Sequence, residues 1–176
     1  MNRALFLDRD GTLIIDKVYL SDPAGVELIR GSAEGLRRAR SLGFKIFLLT
    51  NQSGIGRGLH TIEDTHRVNA RMEELLGLPK PVFDEICIAP EAPGQPSAYR
   101  KPSPRFILEK IRQHELDPAS CFMVGDAPAD IGAALGAGIR AAAVRTGKVP
   151  PDAIPEVVSG KVPVFEDFGA FAATLR

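Results

Sequence analysis

Short apolar runs alternate along this chain with longer segments in which apolar and polar residues are mixed. The apolar runs predict strands at residues 4–7, 45–49, 85–89, 122–124 and 141–144, with a sixth candidate at 162–165. The mixed segments predict helices over residues 32–42, 61–76, 104–114 and 129–137, and a last helix from about residue 167. Strands that alternate with helices are typical of a parallel sheet covered by helices on both faces. We therefore expect an α/β fold with a doubly wound, mostly parallel sheet, formed as one domain by residues 1–176.

Local signals mark several element ends and loops. Ser32 is placed to cap the first helix, and Thr61 with Asp64 has the spacing of a capping box at the next one. Residues 14–30 form an irregular stretch that predicts a short hairpin or flap. Residues 90–104 are rich in proline and glycine, which indicates a loop.

The composition is that of an ordinary soluble globular protein, with 44% hydrophobic and 25% charged residues. Lysine and arginine (22) balance aspartate and glutamate (22), so we expect neither a nucleic-acid nor a membrane partner. No apolar run approaches the roughly 20 residues of a transmembrane helix, and the chain starts in a strand without a signal-peptide pattern.

Cys87 and Cys121 lie in strand-like runs, which favours buried thiols in a reducing compartment. We expect a cytoplasmic monomer, with His60, His66 and His114 at the surface.

Two carboxylates follow the first predicted strand. Asp8 ends the apolar run, and Asp10 comes two residues later, before Gly11. Acids this close do not ionise independently, and a bound divalent cation commonly offsets the repulsion between the two carboxylates. One acid can then attack an electrophile while the other handles a proton. The alternative is an aspartate-rich turn without chemistry, since Asp and Gly are ordinary turn residues.

Other polar residues follow other strands and reach the same edge. Thr50 and Asp126 each come directly after an apolar run, and Lys101 follows the third strand and its loop. The carboxyl ends of parallel strands meet at one edge, so these residues can converge with Asp8 and Asp10. Three carboxylates suit a hard cation, with Mg²⁺ the natural choice, while a lysine and a hydroxyl suit a phosphoryl group.

The order of these motifs resembles the haloacid dehalogenase superfamily of phosphohydrolases. The matching motifs are Asp8-Arg9-Asp10-Gly11-Thr12, then Thr50-Asn51, then Lys101, then Gly125-Asp126 with Asp130. The likeness extends to about residue 145 and implies a Rossmann-like core.

The resemblance implies a role for each matching residue. Asp8 would be the nucleophile that becomes an aspartyl phosphate, and Asp10 the general acid and then base. Mg²⁺ would bind the carboxylates of Asp8 and Asp126 and the backbone carbonyl of Asp10. Thr50 and Lys101 would hold the phosphoryl oxygens. Asp130, one helical turn beyond Asp126, would orient the neighbouring residues without contacting the substrate itself.

A closer likeness is to the heptose-bisphosphate and histidinol-phosphate phosphatase branch, whose members lack a separate cap domain. It rests on residues 50–58 (Thr-Asn-Gln-Ser-Gly-Ile-Gly-Arg-Gly), on Arg100-Lys101-Pro102 and on residues 16–19. The implied substrate contacts are Asn51, Gln52, Ser53 and Arg100, with Asp16, Lys17, Val18 and Tyr19 at the mouth of the site.

The chain departs from that branch at two places. Many members hold a structural zinc with Cys-x-His and Cys-x-Cys, where this chain has Cys87, Ala89, Ser97 and Tyr99. One thiolate does not hold a tetrahedral zinc, so no zinc is expected. Ala127 stands where heptose-bisphosphate members often have a lysine, which weakens the case for a doubly phosphorylated sugar.

The resemblance thus implies a Mg²⁺-dependent phosphomonoesterase acting on a small soluble metabolite. Heptose 1,7-bisphosphate ranks first among substrates, histidinol phosphate second and another sugar phosphate third. A receiver-type signalling domain that accepts a phosphoryl group is the alternative of another class, because such modules gather the same residue types at a sheet edge.

Overall fold

Six parallel strands form one sheet in the computed structural model of this chain, which describes residues 2–176. The strands are β1 (Ala4–Leu7), β2 (Lys45–Asn51), β3 (Glu85–Ala89), β4 (Phe122–Gly125), β5 (Arg140–Val144) and β6 (Val164–Phe165). Their order across the sheet is β3-β2-β1-β4-β5-β6, and every neighbouring pair is parallel. The predicted doubly wound fold is confirmed.

Helices connect the strands and cover the sheet. They are α1 (Ser32–Ser41), α2 (Ser53–Gly56), α3 (Ile62–Leu76), α4 (Arg105–Gln113), α5 (Pro128–Gly136), α6 (Pro155–Val158) and α7 (Phe168–Ala173). The two short helices α2 and α6 carry no clear apolar periodicity and were not predicted. No helix within residues 2–176 is long and apolar enough to cross a membrane.

Alternate strand residues point into two separate hydrophobic clusters. Leu5 and Leu7 join the cluster that α1, α3 and α7 cover, whereas Ala4 and Phe6 join the cluster under α4 and α5. All four residues have no exposed surface, because the central strand β1 is covered on both faces. A continuous apolar run is therefore the expected sequence of this strand.

Both cysteines are buried free thiols, as predicted. Cys87 and Cys121 belong to the cluster under α4 and α5. Burial raises the pKa of each thiol to about 11, so both stay protonated and unreactive near neutral pH.

The predicted N-cap of α1, Ser32, is wrong. Gly31, with φ of 85°, is the N-cap residue instead of Ser32. The hydroxyl of Ser32 donates to the carbonyl oxygen of Leu13 at 2.9 Å, which ties α1 to the turn after β1. The capping box at α3 is confirmed, since Asp64 N–H donates to Thr61 Oγ1 at 3.1 Å and Asp64 Oδ2 accepts from Thr61 N–H at 2.7 Å.

Residues 14–30 form the predicted flap above the carboxyl edge of the sheet. One antiparallel bridge joins Ile14 to Leu28, and a single 3₁₀ turn spans Pro23–Gly25. At the tip, Val18 and Tyr19 have φ of 51° and 52°. Two consecutive non-glycine residues in the left-handed region are uncommon, and such backbone occurs preferentially where it lines a functional site.

Candidate active site

The carboxyl ends of β1, β2 and β4 place three predicted residues side by side. Asp8 follows β1, Thr50 lies in β2, and Asp126 follows β4. The register pairs Leu7 with both Leu48 and Val124, and Asp8 N–H donates to the carbonyl oxygen of Val124 at 3.0 Å. These contacts bring together residues that lie more than a hundred positions apart in the chain.

Lys101 joins this group through two ion pairs. Its Nζ lies 2.6 Å from Asp8 Oδ1 and 2.6 Å from Asp130 Oδ1. Burial alone would lower the pKa of Lys101, but the charges of Asp130 and Asp8 outweigh burial and raise it, so the ammonium stays charged. Its backbone is anchored by Asn51, whose Oδ1 accepts the Lys101 N–H at 3.0 Å and whose Nδ2 donates to the Lys101 carbonyl at 3.1 Å.

Three buried carboxylates form a cluster that suits a cation. Oxygen atoms of Asp8, Asp126 and Asp130 lie within 4.8 Å of one another. Burial, reinforced by the charges of Asp8 and Asp130, raises the pKa of Asp126 to about 8. The pKa of Asp8 is raised for the same first reason, its burial. One lysine compensates only part of the charge of three carboxylates, which favours a hard divalent ion, so the donors present fit Mg²⁺.

Within the cluster, Asp130 has other partners. Its Oδ2 accepts the backbone N–H of Ala127 at 3.0 Å, while its Oδ1 faces Lys101. Asp8 and Asp126 are therefore the carboxylates best placed to hold an ion, and Asp130 positions Lys101 and the start of α5.

Backbone without side chains surrounds the Asp126 carboxylate. A Cβ built on Gly147 would lie 1.8 Å from Asp126 Oδ2, and one on Gly11 would lie 2.8 Å from the same atom. A side chain at either position would displace the Asp126 carboxylate, and Gly11 also has a φ of 81°, so both positions favour glycine.

Asp10 has a separate set of partners. Arg9 donates from Nε to Asp10 Oδ2 at 3.0 Å and from Nη2 to Asp10 Oδ1 at 3.1 Å. Gln52 Nε2 donates both to Asp10 Oδ2 and to Thr50 Oγ1, at 2.8 Å each. Burial raises the pKa of Asp10 despite the opposing charge of Arg9, a direction that favours its protonated, acid form.

Arg9 was missed as a site residue by sequence reasoning. It is completely buried, and its Nη1 donates to Asn69 Oδ1 of α3 at 2.9 Å. The available signal was an asparagine on the buried face of an amphipathic helix, which needs a polar partner. The partner lies 60 residues away, so the sequence did not identify it.

Two adjoining cavities lie above these residues. The catalytic cavity, of about 240 Å³, contains Asp8, Lys101, Asp126 and Asp130 in its lining. The mouth cavity, of about 320 Å³, lies towards the flap. The linings of the two cavities share four residues, namely Asp10, Asp16, Asn51 and Lys148. A substrate with two ends can therefore span both spaces.

Most predicted substrate contacts line the mouth cavity. They are Asp16, Val18, Tyr19, Asn51, Gln52 and Ser53. Among the described residues, Lys17, Arg100 and Thr50 line neither cavity. Lys17 pairs with Glu27, Arg100 Nη1 donates to the carbonyl oxygen of Glu91 at 2.9 Å, and Thr50 lies behind the amide of Gln52.

The prediction that all histidines are at the surface is wrong for His60. The residue is only 8% exposed, and neither ring nitrogen has a hydrogen-bond partner within residues 2–176. A Cβ on Gly54 would lie 2.3 Å from His60 Cε1 and 2.8 Å from Tyr19 Cδ1. The missing side chain at Gly54 lets the ring sit beneath the flap, and burial lowers the pKa of His60.

Lys148 is the other residue of the cavities that sequence reasoning missed. It follows β5, beyond the last motif that the resemblance covers, and it lines both cavities. A lysine in a loop rich in proline carries no local signal of a role, so only its position in the fold identifies it.

Comparisons with known proteins agree with this geometry. A family model described as HAD-hydrolase-like matches residues 98–170. The D-glycero-beta-D-manno-heptose-1,7-bisphosphate 7-phosphatase of Helicobacter pylori (strain 26695) is 40% identical over 140 residues, which cover 79% of this chain and 81% of the relative. The D-glycero-D-manno-heptose-1,7-bisphosphate 7-phosphatase of Chlorobaculum tepidum is 37% identical over 158 residues, covering 82% and 79%.

A solved structure extends the likeness to the whole fold. The D,D-heptose 1,7-bisphosphate phosphatase from B. bronchiseptica, complexed with magnesium and phosphate, matches with a TM-score of 0.83 and 28% identity. The match covers 98% of this chain and 97% of that chain. The resemblance predicted from the motif order is thus confirmed, and the likeness in fold continues beyond residue 145.

Proposed function

The chain belongs to the haloacid dehalogenase superfamily of hydrolases, in the branch of the heptose-1,7-bisphosphate 7-phosphatases, and from this premise we propose that it removes the 7-phosphate of a D-glycero-D-manno-heptose 1,7-bisphosphate. It is a phosphoric monoester hydrolase. The observation that carries the proposed chemistry is Asp8, which pairs with Lys101 and lies close to the Asp126 carboxylate in a cavity that shares lining residues with a second one. Curated relatives of both the beta and the alpha anomer specificity match the chain, so both anomers belong in its test.

In the proposed first step, an oxygen of Asp8 attacks phosphorus and the bond from phosphorus to the sugar oxygen breaks. Asp10, in its protonated form, gives its proton to the departing oxygen, so that an alcohol leaves. Lys101 offsets the repulsion between the Asp8 carboxylate and the anionic phosphate. Thr50 accepts a hydrogen bond from Gln52, which leaves its own O–H as a donor. Because Thr50 lines neither cavity, its contact with a phosphoryl oxygen stays a prediction.

In the second step, Asp10 takes a proton from water, and the water oxygen attacks the phosphorus of the aspartyl phosphate. The bond between phosphorus and the Asp8 oxygen breaks, which restores the carboxylate and releases inorganic phosphate. Gln52 and the fork of Arg9 hold Asp10 for both transfers. One residue thus serves as acid and then as base.

Mg²⁺ is the proposed cofactor, and the carboxylates of Asp8 and Asp126 with the carbonyl of Asp10 would hold it. When bound, the ion neutralises charge and orients the phosphoryl group as a Lewis acid. The monomeric state, the cytoplasmic location, the single domain and the lack of zinc stay predictions.

The test is phosphate release in Mg²⁺ from both heptose bisphosphate anomers, histidinol phosphate and simple sugar monophosphates. We expect a strong preference for one heptose bisphosphate, and loss of release in EDTA. The matched control is Asp8→Asn, which keeps the size of the side chain and removes the nucleophile.

Similar weak rates on every ester would leave a phosphatase but contradict the heptose assignment. A phosphoenzyme that accumulates and persists, without turnover on any ester, would favour the receiver-type alternative instead.

A further inference from the structure

A bisphosphate brings two dianionic groups into the site, and each needs a cationic partner. Within residues 2–176, three cationic side chains line the two cavities, namely Arg9, Lys101 and Lys148. The guanidinium of Arg9 is buried and bound to Asp10 and Asn69, and Lys101 is bound to Asp8 and Asp130. Lys148 is thus the cation that remains for the phosphate that is not transferred.

The backbone that carries Lys148 is anchored against the catalytic loop. The hydroxyl of Thr146 donates to the carbonyl oxygen of Gly11 at 2.6 Å. Gly147 packs its Cα against the Asp126 carboxylate, where any Cβ would collide. Lys148 is therefore presented from a fixed point beside the metal-binding carboxylates, although it stands in a surface loop.

The side chain of Lys148 has a partner that a phosphate can replace. Its Nζ lies 3.1 Å from Asp16 Oδ1, and the Lys148 side chain is 50% exposed. A half-exposed pair with one carboxylate is weak, whereas a phosphate monoester carries up to about two negative charges and three acceptor oxygens. Asp16 also accepts the Val18 N–H at 2.8 Å, so it keeps a partner when Lys148 turns to the ligand.

We propose that Lys148 binds the phosphate at the sugar's anomeric end and is the residue that makes the enzyme prefer a bisphosphate to a monophosphate. This role rests on the proposed function. It also offers a physical answer to the absence of a cation at Ala127, because Lys148 lines the same catalytic cavity and supplies a positive charge from the anchored loop after β5.

The test compares Lys148→Met with wild type on heptose 1,7-bisphosphate and on heptose 7-phosphate. The ratio of the two kcat/KM values should fall by about tenfold or more, the size of one lost charge-assisted hydrogen bond, mainly through KM for the bisphosphate. Lys148→Arg should restore most of the ratio. The matched control is Lys80→Met, which removes an exposed lysine at the opposite edge of the sheet that pairs with Glu73 at 4.0 Å, and it should leave the ratio unchanged.

An unchanged ratio in Lys148→Met would overturn the inference, and so would equal losses on both esters, because the lysine would then serve the common phosphoryl site. A wild-type enzyme that releases no phosphate from either heptose ester would instead refute the proposed function. A wild type that hydrolyses both heptose esters equally would overturn only the role of Lys148.

Discussion

The floor of the catalytic cavity and the rim of the mouth cavity are built from different kinds of backbone. At the floor, Asp8 and Asp126 come directly after central strands, whose register fixes their separation. At the rim, Val18 and Tyr19 hold left-handed backbone in a flap, and Lys148 stands half-exposed in a loop. Strand ends thus position the two carboxylates proposed to hold the ion, while the flap and the loop after β5 carry groups proposed for selectivity.

Asp10→Asn should produce the largest effect that tests this division. The amide keeps the shape of the side chain but cannot transfer a proton, so kcat on a sugar phosphate should fall by about 10²- to 10⁴-fold. With p-nitrophenyl phosphate, whose leaving group needs no proton, the first step should be much less impaired. Rapid mixing should then show a burst of nitrophenolate followed by slow turnover. Equal losses on both esters in both phases would contradict the role of Asp10 as the acid.

Asp126→Asn tests whether the floor holds the cation. In wild type, Mg²⁺ at a hundredfold excess over its Kd should stabilise the fold by about 2.7 kcal/mol, which calorimetry detects as a higher Tm than in EDTA. The variant should lose most of that shift. Asp16→Asn is the matched control. Asp16 lies in the same cavity lining as Asp126, but its carboxylate is paired with Lys148. If the Mg²⁺-induced rise in Tm survives in Asp126→Asn but disappears in Asp16→Asn, the cation binds at the rim and not at the floor.

Tyr19→Ala should have a smaller effect, confined to the rim. The ring packs beside Gly54 and lines the mouth cavity. The alanine variant loses apolar surface that a bound substrate would cover. KM should therefore rise by about threefold to tenfold, while kcat should stay nearly unchanged. Tyr19→Phe keeps the ring and should behave as wild type in steady-state kinetics. A drop in kcat with an unchanged KM would mean that the flap takes part in the chemistry of the floor.

Asp84→Asn should have the smallest effect, because Asp84 lies at the opposite edge of the sheet. Its Oδ2 accepts from Ile46 N–H at 2.8 Å and from Arg40 Nη1 at 2.6 Å. Burial would raise the pKa of Asp84, but these hydrogen bonds and the charge of Arg40 lower it overall. The pKa of Asp84 is lower in the folded state than its ordinary value of 3.8. The stabilisation is therefore fully present at pH values above 3.8 and is lost as the pH falls through the folded-state pKa.

The variant should therefore lose about 1 kcal/mol of unfolding free energy at neutral pH and retain wild-type kcat. Urea titrations at neutral and acidic pH measure this difference, which should shrink in acid. A loss of activity without a loss of stability would show that the two edges of the sheet are coupled.

Much of the architecture was accessible from apolar pattern and local signals. The strands at residues 4–7 and 85–89 and the capping box at Thr61 were predicted as they stand in the structure. Ser32 was misassigned because its hydroxyl has a better acceptor, Leu13, that local sequence does not show. His60 was misassigned because its burial depends on the absence of a side chain at Gly54 and on the flap above it.

The sequence by itself determined the fold class and placed Asp8, Thr50 and Asp126 at one edge of the sheet, because polar residues at the ends of parallel buried strands share that edge. Only the tertiary structure decided which charged groups pair with one another. Arg9 binds Asn69 across 60 positions, and Lys148 meets Asp16 through a loop locked onto Gly11. Such pairings depend on the direction and reach of individual side chains, which spacing along the chain does not encode.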